Sequence, residues 1–288
     1  MYQGSASALP YNTARHAGFS PCYHLPMPLV ELRHITKVFR SESIFGAKRS
    51  EVRAVNDVSL TIERGETLGL VGESGSGKST LGRIVLRLIE PTSGEIFFDD
   101  RDITRVNSSQ MRTLRRDMQI IFQDPFGSLD PRMTVQQVLA EPFQVHDDLR
   151  PDEVRLRTAE LLRAVGLDAS ALPRYPHEFS GGQRQRIGIA RALALRPKLI
   201  VADEPVSALD VSIGAQIVNL LARLQREFSL TYLFISHSMP VVRYLATRIA
   251  VMRNGELLEI GAAEQITQSP QREYTRSLLA ATPEIAAD

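Results

Sequence analysis

The sequence predicts an α/β protein in which helices cover both faces of a mostly parallel sheet. The segments 67–71, 198–202 and 230–235 are mostly apolar and contain Lys198 as their only charged residue, which is typical of strands that are buried on both faces. Segments of helical period separate these runs along the chain, and this alternation after residue 66 favours a parallel sheet. The first run leads directly into a glycine-rich stretch that opens a predicted helix.

Composition narrows the class of protein. The chain has 288 residues, 43% of them hydrophobic, so one large α/β domain or a domain with a subdomain fits. The formal net charge of +1 gives no reason to expect a nucleic-acid partner. Cys22 is the only cysteine, which excludes an intrachain disulfide and indicates a reduced, cytosolic compartment. No apolar run approaches the roughly 18–20 residues of a transmembrane helix, so another chain must supply any membrane span.

The N-terminal segment 1–26 differs from the rest of the chain. It lacks the apolar core of a signal peptide and is rich in Gly, Ser, Ala and Pro without any period. We interpret it either as a disordered extension or as an upstream, misassigned start, in which case Met27 is the true first residue.

Alternation and turn residues define the elements in the first third of the chain. Apolar and polar side chains alternate in the first two segments, as in strands with one buried face, and a polar, basic stretch separates them. Gly65 turns the chain into the next strand, and Pro91 with Gly94 ends the helix that follows. These signals predict strands at 29–35, 55–62 and 67–71, a loop at 41–50 and a helix at 81–89.

The second half of the chain has clearer helix boundaries. Gly166 is a C-terminal stop, Ser180 is a good N-cap, and Asn254-Gly255 between apolar runs is a strong hairpin signal. These signals predict helices at 152–166, 180–195 and 212–228, strands at 198–202 and 230–235, and a hairpin at 248–260.

The glycine-rich run has the composition of a phosphate-binding loop. It consists of Gly72, Glu73, Ser74, Gly75, Ser76, Gly77, Lys78, Ser79 and Thr80. Glycines let backbone N–H groups converge on phosphate oxygens, and the following helix adds its positive N-terminal end. Lys78 supplies a charge for the β- and γ-phosphates, and the Ser79 hydroxyl is placed to ligate Mg²⁺. The run therefore predicts nucleotide binding.

Two adjacent carboxylates follow the apolar strand at 198–202. Asp203 emerges at the carboxyl edge of the sheet, beside the glycine-rich loop, where it can hold Mg²⁺ through water. Glu204 points differently and can act on an attacking water. The alternative is a solvated strand end, which the preceding strand and Pro205 disfavour.

A second candidate anion site lies at the start of the helix after residue 180. Ser180, Gly181, Gly182 and Gln183 would present free backbone amides there. Taken alone, these residues are equally consistent with a plain turn before a helix. As an anion site they make sense if they serve the nucleotide of a neighbouring copy, because the chain already has one phosphate loop.

From about residue 29 to 261 the chain resembles the ATP-binding subunit of ATP-binding-cassette (ABC) systems. Phe179 stands where that family usually has Leu, a tolerated exchange. The matching segments are the Walker A run at 72–80, the Q-loop residue Gln123, the signature at 179–183, the Walker B strand at 199–203 with Glu204, the D-loop at 207–210 with Asp210, and the switch histidine His237.

The resemblance implies a role for each matching position. The Walker A residues and Asp203 would hold ATP and Mg²⁺ in cis, and Ser180, Gly181 and Gly182 would contact the γ-phosphate on the opposite subunit. Glu204 would be the general base. His237 would contact the γ-phosphate, and Gln123 would sense metal and water. Phe39 resembles the aromatic residue that stacks on adenine, and Phe45 is a rival for that role.

Three further segments resemble the oligopeptide and dipeptide importers of this family. They are QDPFGSLDPRMT at 123–134, RYPHE at 174–178 and EPVSALDVS at 204–212. The tail at 269–279 follows the same group's ending, except that Arg272-Glu273 replaces His-Pro. The resemblance implies an ATP-hydrolysing subunit for peptide import. Nickel, glutathione or another small solute remains an alternative cargo, and the cysteine-rich element that holds an iron–sulfur cluster in some members is absent from this sequence.

The implied architecture is a P-loop NTPase core with an antiparallel β subdomain and an inserted helical subdomain. The expected bounds are 27–262 for the cassette, 126–188 for the helical subdomain within it and 263–288 for the tail. The implied partners are a second ATPase subunit, with a heterodimer favoured, two permease subunits and an extracytoplasmic solute-binding protein. The implied location is the cytoplasmic face of the membrane. A soluble ABC ATPase, a subunit that binds ATP without hydrolysis, and an exporter cassette are the rivals.

Overall fold

The structure, a computed structural model, describes residues 27–40, 51–124 and 127–281. The N-terminal extension 1–26, the predicted loop 41–50 and Phe45 within it therefore lie outside the described residues. In the described ranges, none of the helices is both long and apolar enough to cross a bilayer.

The described elements alternate along the chain as the sequence predicts. The strands are β1 (Val30–Arg40), β2 (Glu51–Ile62), β3 (Thr67–Val71), β4 (Ser93–Phe98), β5 (Arg101–Asp102), β6 (Met118–Ile121), β7 (Leu199–Asp203), β8 (Thr231–Ser236), β9 (Arg248–Arg253) and β10 (Glu256–Ala262). The helices are α1 (Lys78–Val85), α2 (Ser108–Leu114), α3 (Val135–His146), α4 (Pro151–Ala164), α5 (Gly181–Leu193), α6 (Val211–Phe228), α7 (Met239–Leu245), α8 (Ala263–Gln268) and α9 (Glu273–Ala280).

The larger sheet confirms the predicted parallel core. Its order is β10-β9-β3-β8-β7-β6, and all neighbours are parallel except the edge strand β10. Strands β3, β7 and β8 are buried at every residue, which explains their continuous hydrophobicity. Because the strands are parallel, the residues that follow β3, β6, β7 and β8 all emerge at one edge of the sheet.

The smaller sheet confirms the predicted antiparallel part, and it refines the expected layering. Its order is β2-β1-β4-β5, with antiparallel pairing throughout. Apolar side chains from this sheet share a core with α1 and with one face of the parallel sheet. That face is thus covered by a helix and a second sheet together. The opposite face packs against α5, α6 and α7.

Helices α3, α4 and α5 lie between β6 and β7 and pack against one another. Helix α3 falls within the expected helical subdomain but was not predicted as an individual element, and neither were β4, β5, β6, α2 and α7; it contains Pro142, a residue type that normally ends a helix. The helix forms because Thr134 and Gln137 make a reciprocal capping box and Val138, Leu139 and Phe143 are buried. The bounds 126–188 for a helical subdomain remain an interpretation, since α5 continues to Leu193 without a break.

Helix α1 differs from its predicted range 81–89 at both ends. It begins at Lys78, inside the glycine-rich run, and it ends at Val85. Arg87 takes a left-handed backbone conformation with φ of 51°, which ends the helix before Pro91 is reached. The largely buried Arg87 guanidinium donates to the carbonyl oxygens of Ile103 and Thr104 and so holds this turn.

The other predicted elements agree with the structure within a few residues, except that β1 and β2 are longer. The Asn254-Gly255 hairpin joins β9 to β10, and both residues have the positive φ that this turn requires. The expected tail from residue 263 forms α8 and α9 over its described part.

Candidate functional site

A cavity of about 760 Å³ opens at the carboxyl edge of the parallel sheet. It is bounded by the glycine-rich loop after β3, by residues that follow β6, β7 and β8, by β2 and by the β9–β10 hairpin. Its lining residues are Val52, Arg53, Ala54, Ser74, Gly75, Gly77, Lys78, Ser79, Thr80, Gln123, Glu204, His237 and Asn254.

The glycine-rich loop packs its backbone directly against neighbouring strands. A Cβ on Gly77 would lie 2.1 Å from the carbonyl oxygen of Ala54 in β2, and the φ of Gly77 is +103°. A Cβ on Gly72 would lie 2.2 Å from the carbonyl oxygen of Met252 in β9. Only glycine fits either position. Gly77 is also the N-cap of α1 and provides no side-chain cap, so the first N–H groups of α1 are left for an anion.

Lys78 lies beneath this loop with its side chain turned back onto it. The lysine is 4% exposed, and its Nζ donates to the carbonyl oxygens of Gly72 at 2.9 Å and Glu73 at 2.8 Å. Burial lowers the pKa of Lys78, against the opposing effect of the Glu204, Asp203 and Glu73 carboxylates. A partly desolvated ammonium group is therefore held where an anion in the cavity can reach it.

Asp203 and Ser79 form an oxygen pair next to the lysine. The Ser79 hydroxyl donates to Asp203 Oδ1 at 2.7 Å, although the two residues are 124 positions apart in the sequence. Burial raises the pKa of Asp203, and the nearby Glu204 acts in the same direction, whereas the Ser79 hydrogen bond, Arg83 and Lys78 oppose it. Ser79 lines the cavity, and Asp203, which is 3% exposed, lies directly behind the serine and places a second hard oxygen donor next to it.

Glu204 points away from Asp203 because the backbone reverses between them. Its φ is 47°, a left-handed value that is uncommon for glutamate, and its N–H donates to the carbonyl oxygen of Ile235 at 3.0 Å. The Glu204 Oε2 atom lies 3.2 Å from His237 Nδ1 and accepts from Gln123 Nε2 at 3.4 Å. The three side chains follow β7, β8 and β6 respectively, so the parallel sheet brings them together.

Comparisons with known proteins agree with this geometry. Residues 55–207 match the ABC transporter domain. The chain is 50% identical over 257 residues to the oligopeptide transport ATP-binding protein AppF of Bacillus subtilis (strain 168), which covers 88% of this chain and 78% of AppF.

The chain belongs to the ABC transporter family.

Two further comparisons extend this assignment. The chain is 52% identical over 257 residues to the glutathione import ATP-binding protein GsiA of Escherichia coli (strain K12). The match covers 89% of this chain but 41% of GsiA, so the chain spans about two-fifths of the length of that relative. A solved structure of the ATP-binding cassette MJ0796, bound to ADP and Pi, matches with a TM-score of 0.73 and 32% identity. That match covers 81% of this chain and 98% of MJ0796, and as a member of this family the chain is an ABC ATPase that binds ATP.

The signature residues of this ABC ATPase lie outside the cavity described above. Ser180 is the N-cap of α5, where it accepts from the N–H of Gln183, and its own N–H donates to Gln183 Oε1. None of the residues 180–183 lines the cavity. A Cβ on Gly182 would lie 2.5 Å from the Ile213 side chain in α6, so the signature packs beside the start of that helix.

The remaining predicted site residues do not line the cavity in the same way as Lys78 and Glu204 do. Asp210 is the N-cap of α6 and lines a neighbouring groove that also reaches Glu204 and His237. Ser76 is 4% exposed and supports the loop from beneath. Phe39 in β1 does not line the cavity, and its ring lies 5.1 Å from Lys37 Nζ. Its role as an adenine platform stays a prediction.

Several residues that line the cavity belong to no recognisable sequence motif. Val52, Arg53 and Ala54 belong to β2 but precede the segment 55–62 that the sequence predicts as a strand, so no sequence signal marked them. Asn254 is part of the predicted hairpin, and the adjacent Gly255 N–H donates to the carbonyl oxygen of Ser76 at 3.0 Å. The hairpin signal could have pointed to this turn, but not to its contact with the glycine-rich loop.

Proposed function

We propose that this ABC ATPase powers the import of dipeptides and oligopeptides through a membrane transporter. The catalytic part of this proposal rests on one observation: Gln123, Glu204 and His237 lie together in the cavity that Lys78 also lines. The peptide cargo is supported by the 50% identity to AppF, an oligopeptide transport ATP-binding protein, and by the importer-like run at 123–134.

The phosphates of ATP would bind between the glycine-rich loop and Lys78. The open N–H groups at the start of α1 and the Lys78 ammonium face the same part of the cavity. Ser79 and Asp203 fit Mg²⁺, because this cation prefers hard oxygen ligands and is usually held by one or two protein groups together with substrate phosphates. When bound, Mg²⁺ would neutralise charge on the phosphates.

Glu204 would accept a proton from the attacking water. A general base must lie within hydrogen-bond reach of that water, and Glu204 Oε2 faces the cavity between two polar side chains. His237 and Gln123 would orient this carboxylate and contact the γ-phosphate and the water respectively. The left-handed backbone at Glu204 separates its carboxylate from that of Asp203, so the proposed metal ligand and the proposed base are distinct groups.

The signature would complete the site of a second ATPase subunit. Ser180, Gly181 and Gly182 lie outside the cavity of their own subunit, which leaves the N-terminal end of α5 for another nucleotide. The similar cassette MJ0796 is described as dimeric. The groove beside Asp210 is mainly apolar, and Val211 there is 90% exposed, as expected for a face that a partner covers. A heterodimer is proposed because importers of the resembled group generally pair two different ATPases.

The complete system would contain two permeases and an extracytoplasmic solute-binding protein. The ATPase would sit on the cytoplasmic face of the membrane as a peripheral subunit and would not bind nucleic acid. A second candidate cargo is glutathione, which is favoured by the 52% identity to GsiA. Glutathione is itself a tripeptide, so both candidates share amide and carboxylate chemistry.

Replacement of Asp203 by asparagine is expected to weaken the dependence of ATP binding on Mg²⁺. The amide keeps the size of the side chain but removes the negative charge beside Ser79. ATP affinity would be measured by titration with Mg²⁺ and with a chelator present. The wild-type protein should bind more tightly with Mg²⁺, and the variant should gain less affinity from Mg²⁺ than the wild type does. A variant that responds to Mg²⁺ like the wild type would contradict the assignment of Asp203.

The transport proposal is tested by purifying the protein from membranes under mild detergent. We expect two permeases and a second ATPase to co-purify. Their ATP turnover should rise when a solute-binding protein loaded with dipeptides or oligopeptides is added. Stimulation by glutathione alone would favour the second candidate. Recovery of the protein from the soluble fraction only, without permeases, would contradict the transporter assignment.

A further inference from the structure

Helix α9 in the C-terminal tail places a tyrosine against the phosphate loop. Tyr274 Oη accepts a hydrogen bond from the backbone N–H of Glu73 at 3.2 Å. The Arg253 guanidinium lies 4.6 Å from the centre of the Tyr274 ring, within the range of a cation–π contact. The ring is thus held by β9 while its hydroxyl reaches a loop residue 201 positions earlier in the chain.

The tail is anchored to β10 through Glu259. The Glu259 carboxylate accepts from the backbone N–H groups of Gln271 at 2.7 Å and Arg272 at 3.2 Å, and from the buried Thr275 hydroxyl at 2.6 Å. Burial raises the pKa of Glu259, but these hydrogen bonds and the charge of Arg272 outweigh it and hold the pKa below its usual value. A charged acceptor with several donors fixes the start of α9, and with it the position of Tyr274.

The tail has Arg272-Glu273 where the resembled importers have His-Pro, and this exchange keeps the anchor at Glu259. Arg272 is the N-cap of α9, and its Nε donates to the carbonyl oxygen of Leu258 at 3.3 Å. Glu273 places a negative charge in the first turn, where the helix dipole favours it. The altered tail therefore still forms a docked helix.

Glu73 connects the tyrosine to Lys78. Its N–H donates to Tyr274, and its carbonyl oxygen accepts from Lys78 Nζ at 2.8 Å. Burial and the neighbouring Glu73 carboxylate raise the pKa of Tyr274, whereas the Glu73 N–H and Arg253 lower it. The conformation of one loop residue is thus held from the tail on one side and by the lysine on the other.

We infer that Tyr274 is a positioning residue of the phosphate loop, through which the docked tail sets the affinity of the site for ATP. The inference rests on the proposed role of Lys78 in holding the phosphates. Without the tyrosine hydroxyl, the Glu73 peptide loses a fixed partner and the loop binds phosphate from a broader set of conformations.

The test is Tyr274→Phe in the full-length chain, because phenylalanine keeps the ring beside Arg253 and removes the hydroxyl alone. We expect the Kd for ATP, and the KM of the assembled transporter, to rise about 2- to 10-fold, as for loss of one hydrogen bond. The kcat should change less than about 2-fold, since Tyr274 does not contact the reacting groups. Ser277→Ala is the matched control, because the Ser277 hydroxyl bonds only to its own helix at Glu273.

Two further variants make the outcome decisive. Glu259→Gln weakens the anchor without touching the loop and should raise the Kd in the same direction. If Tyr274→Phe and Ser277→Ala bind ATP equally well, the inference about Tyr274 is wrong. Lys78→Ala is measured in the same assay: if it binds ATP as the wild type does, the proposed role of Lys78 fails independently of the tyrosine.

Discussion

Replacement of Glu204 by glutamine is expected to lower ATP turnover by about 10²–10⁴-fold, the usual contribution of a positioned general base. The amide has nearly the same shape as the carboxylate but cannot accept a proton from water at neutral pH. Glu204 is held by a left-handed backbone and lies between His237 and Gln123, so the geometry should survive the exchange. The measured quantities are kcat for phosphate release and the Kd for ATP, and the Kd should stay within about 3-fold.

The matched control for this variant is Glu227→Gln. Glu227 lies near the end of α6, where it forms an exposed ion pair with Arg223 at 3.0 Å, and neither residue lines the cavity. Exposed pairs of this kind contribute about 0.3–0.5 kcal/mol to stability, so neither turnover nor binding should change noticeably. Turnover of Glu204→Gln above about one-tenth of the wild-type rate would contradict the general-base assignment.

Replacement of Lys78 by alanine is expected to weaken ATP binding by about 10- to 100-fold. A hydrogen bond to a charged group is worth about 1.5–3 kcal/mol, and each 1.4 kcal/mol corresponds to a tenfold change in affinity. The exchange also removes the donor that the Gly72 and Glu73 carbonyl oxygens share, so the loop loses internal support. Titration calorimetry with ATP and Mg²⁺ measures the loss, and circular dichroism checks that the variant is folded.

Lys198→Ala provides the control for loss of a lysine elsewhere. Lys198 forms ion pairs with Asp99 and Asp117 just before β7, at the amino edge of the sheet, opposite to the cavity. Its removal should lower the melting temperature slightly and leave ATP affinity unchanged, because these pairs are partly exposed. An unchanged affinity in Lys78→Ala, or an equal loss in Lys198→Ala, would contradict the role of Lys78 in phosphate binding.

The Lys78→Ala and Glu204→Gln variants separate ATP binding from ATP hydrolysis. Both residues line the cavity, but Lys78 belongs to the glycine-rich loop after β3, whereas Glu204 follows β7. Lys78→Ala should therefore raise the Kd, and Glu204→Gln should lower kcat with little effect on the Kd. A lower kcat with an unchanged Kd in Lys78→Ala, together with a higher Kd in Glu204→Gln, would contradict the roles proposed for these residues.

Local patterns were sufficient for much of the fold. The strand 67–71, the helix after Ser180 and the Asn254-Gly255 hairpin were predicted within a few residues, because each depends on neighbouring side chains and on one turn or cap. Helix α3 was missed since the burial of Val138, Leu139 and Phe143 outweighs the helix-breaking effect of Pro142. The Thr134–Gln137 capping box and the helical spacing of these apolar residues are the local signals that could have revealed it.

The sequence by itself determined which residues are available for chemistry and what backbone they need. The glycines, lysine, serine and following helix of the phosphate-binding motif stand in one continuous stretch of sequence, whereas the backbone atoms that exclude a Cβ at 72 and 77 come from β9 and β2. The tertiary structure alone decided which distant residues meet. Gln123, Glu204 and His237 converge because β6, β7 and β8 are parallel neighbours, and Tyr274 reaches Glu73 because β10 and Glu259 dock the tail. Strand order is non-sequential in this sheet, so contacts across about 80 to 200 residues depend on the packing of the whole core and not on any local pattern.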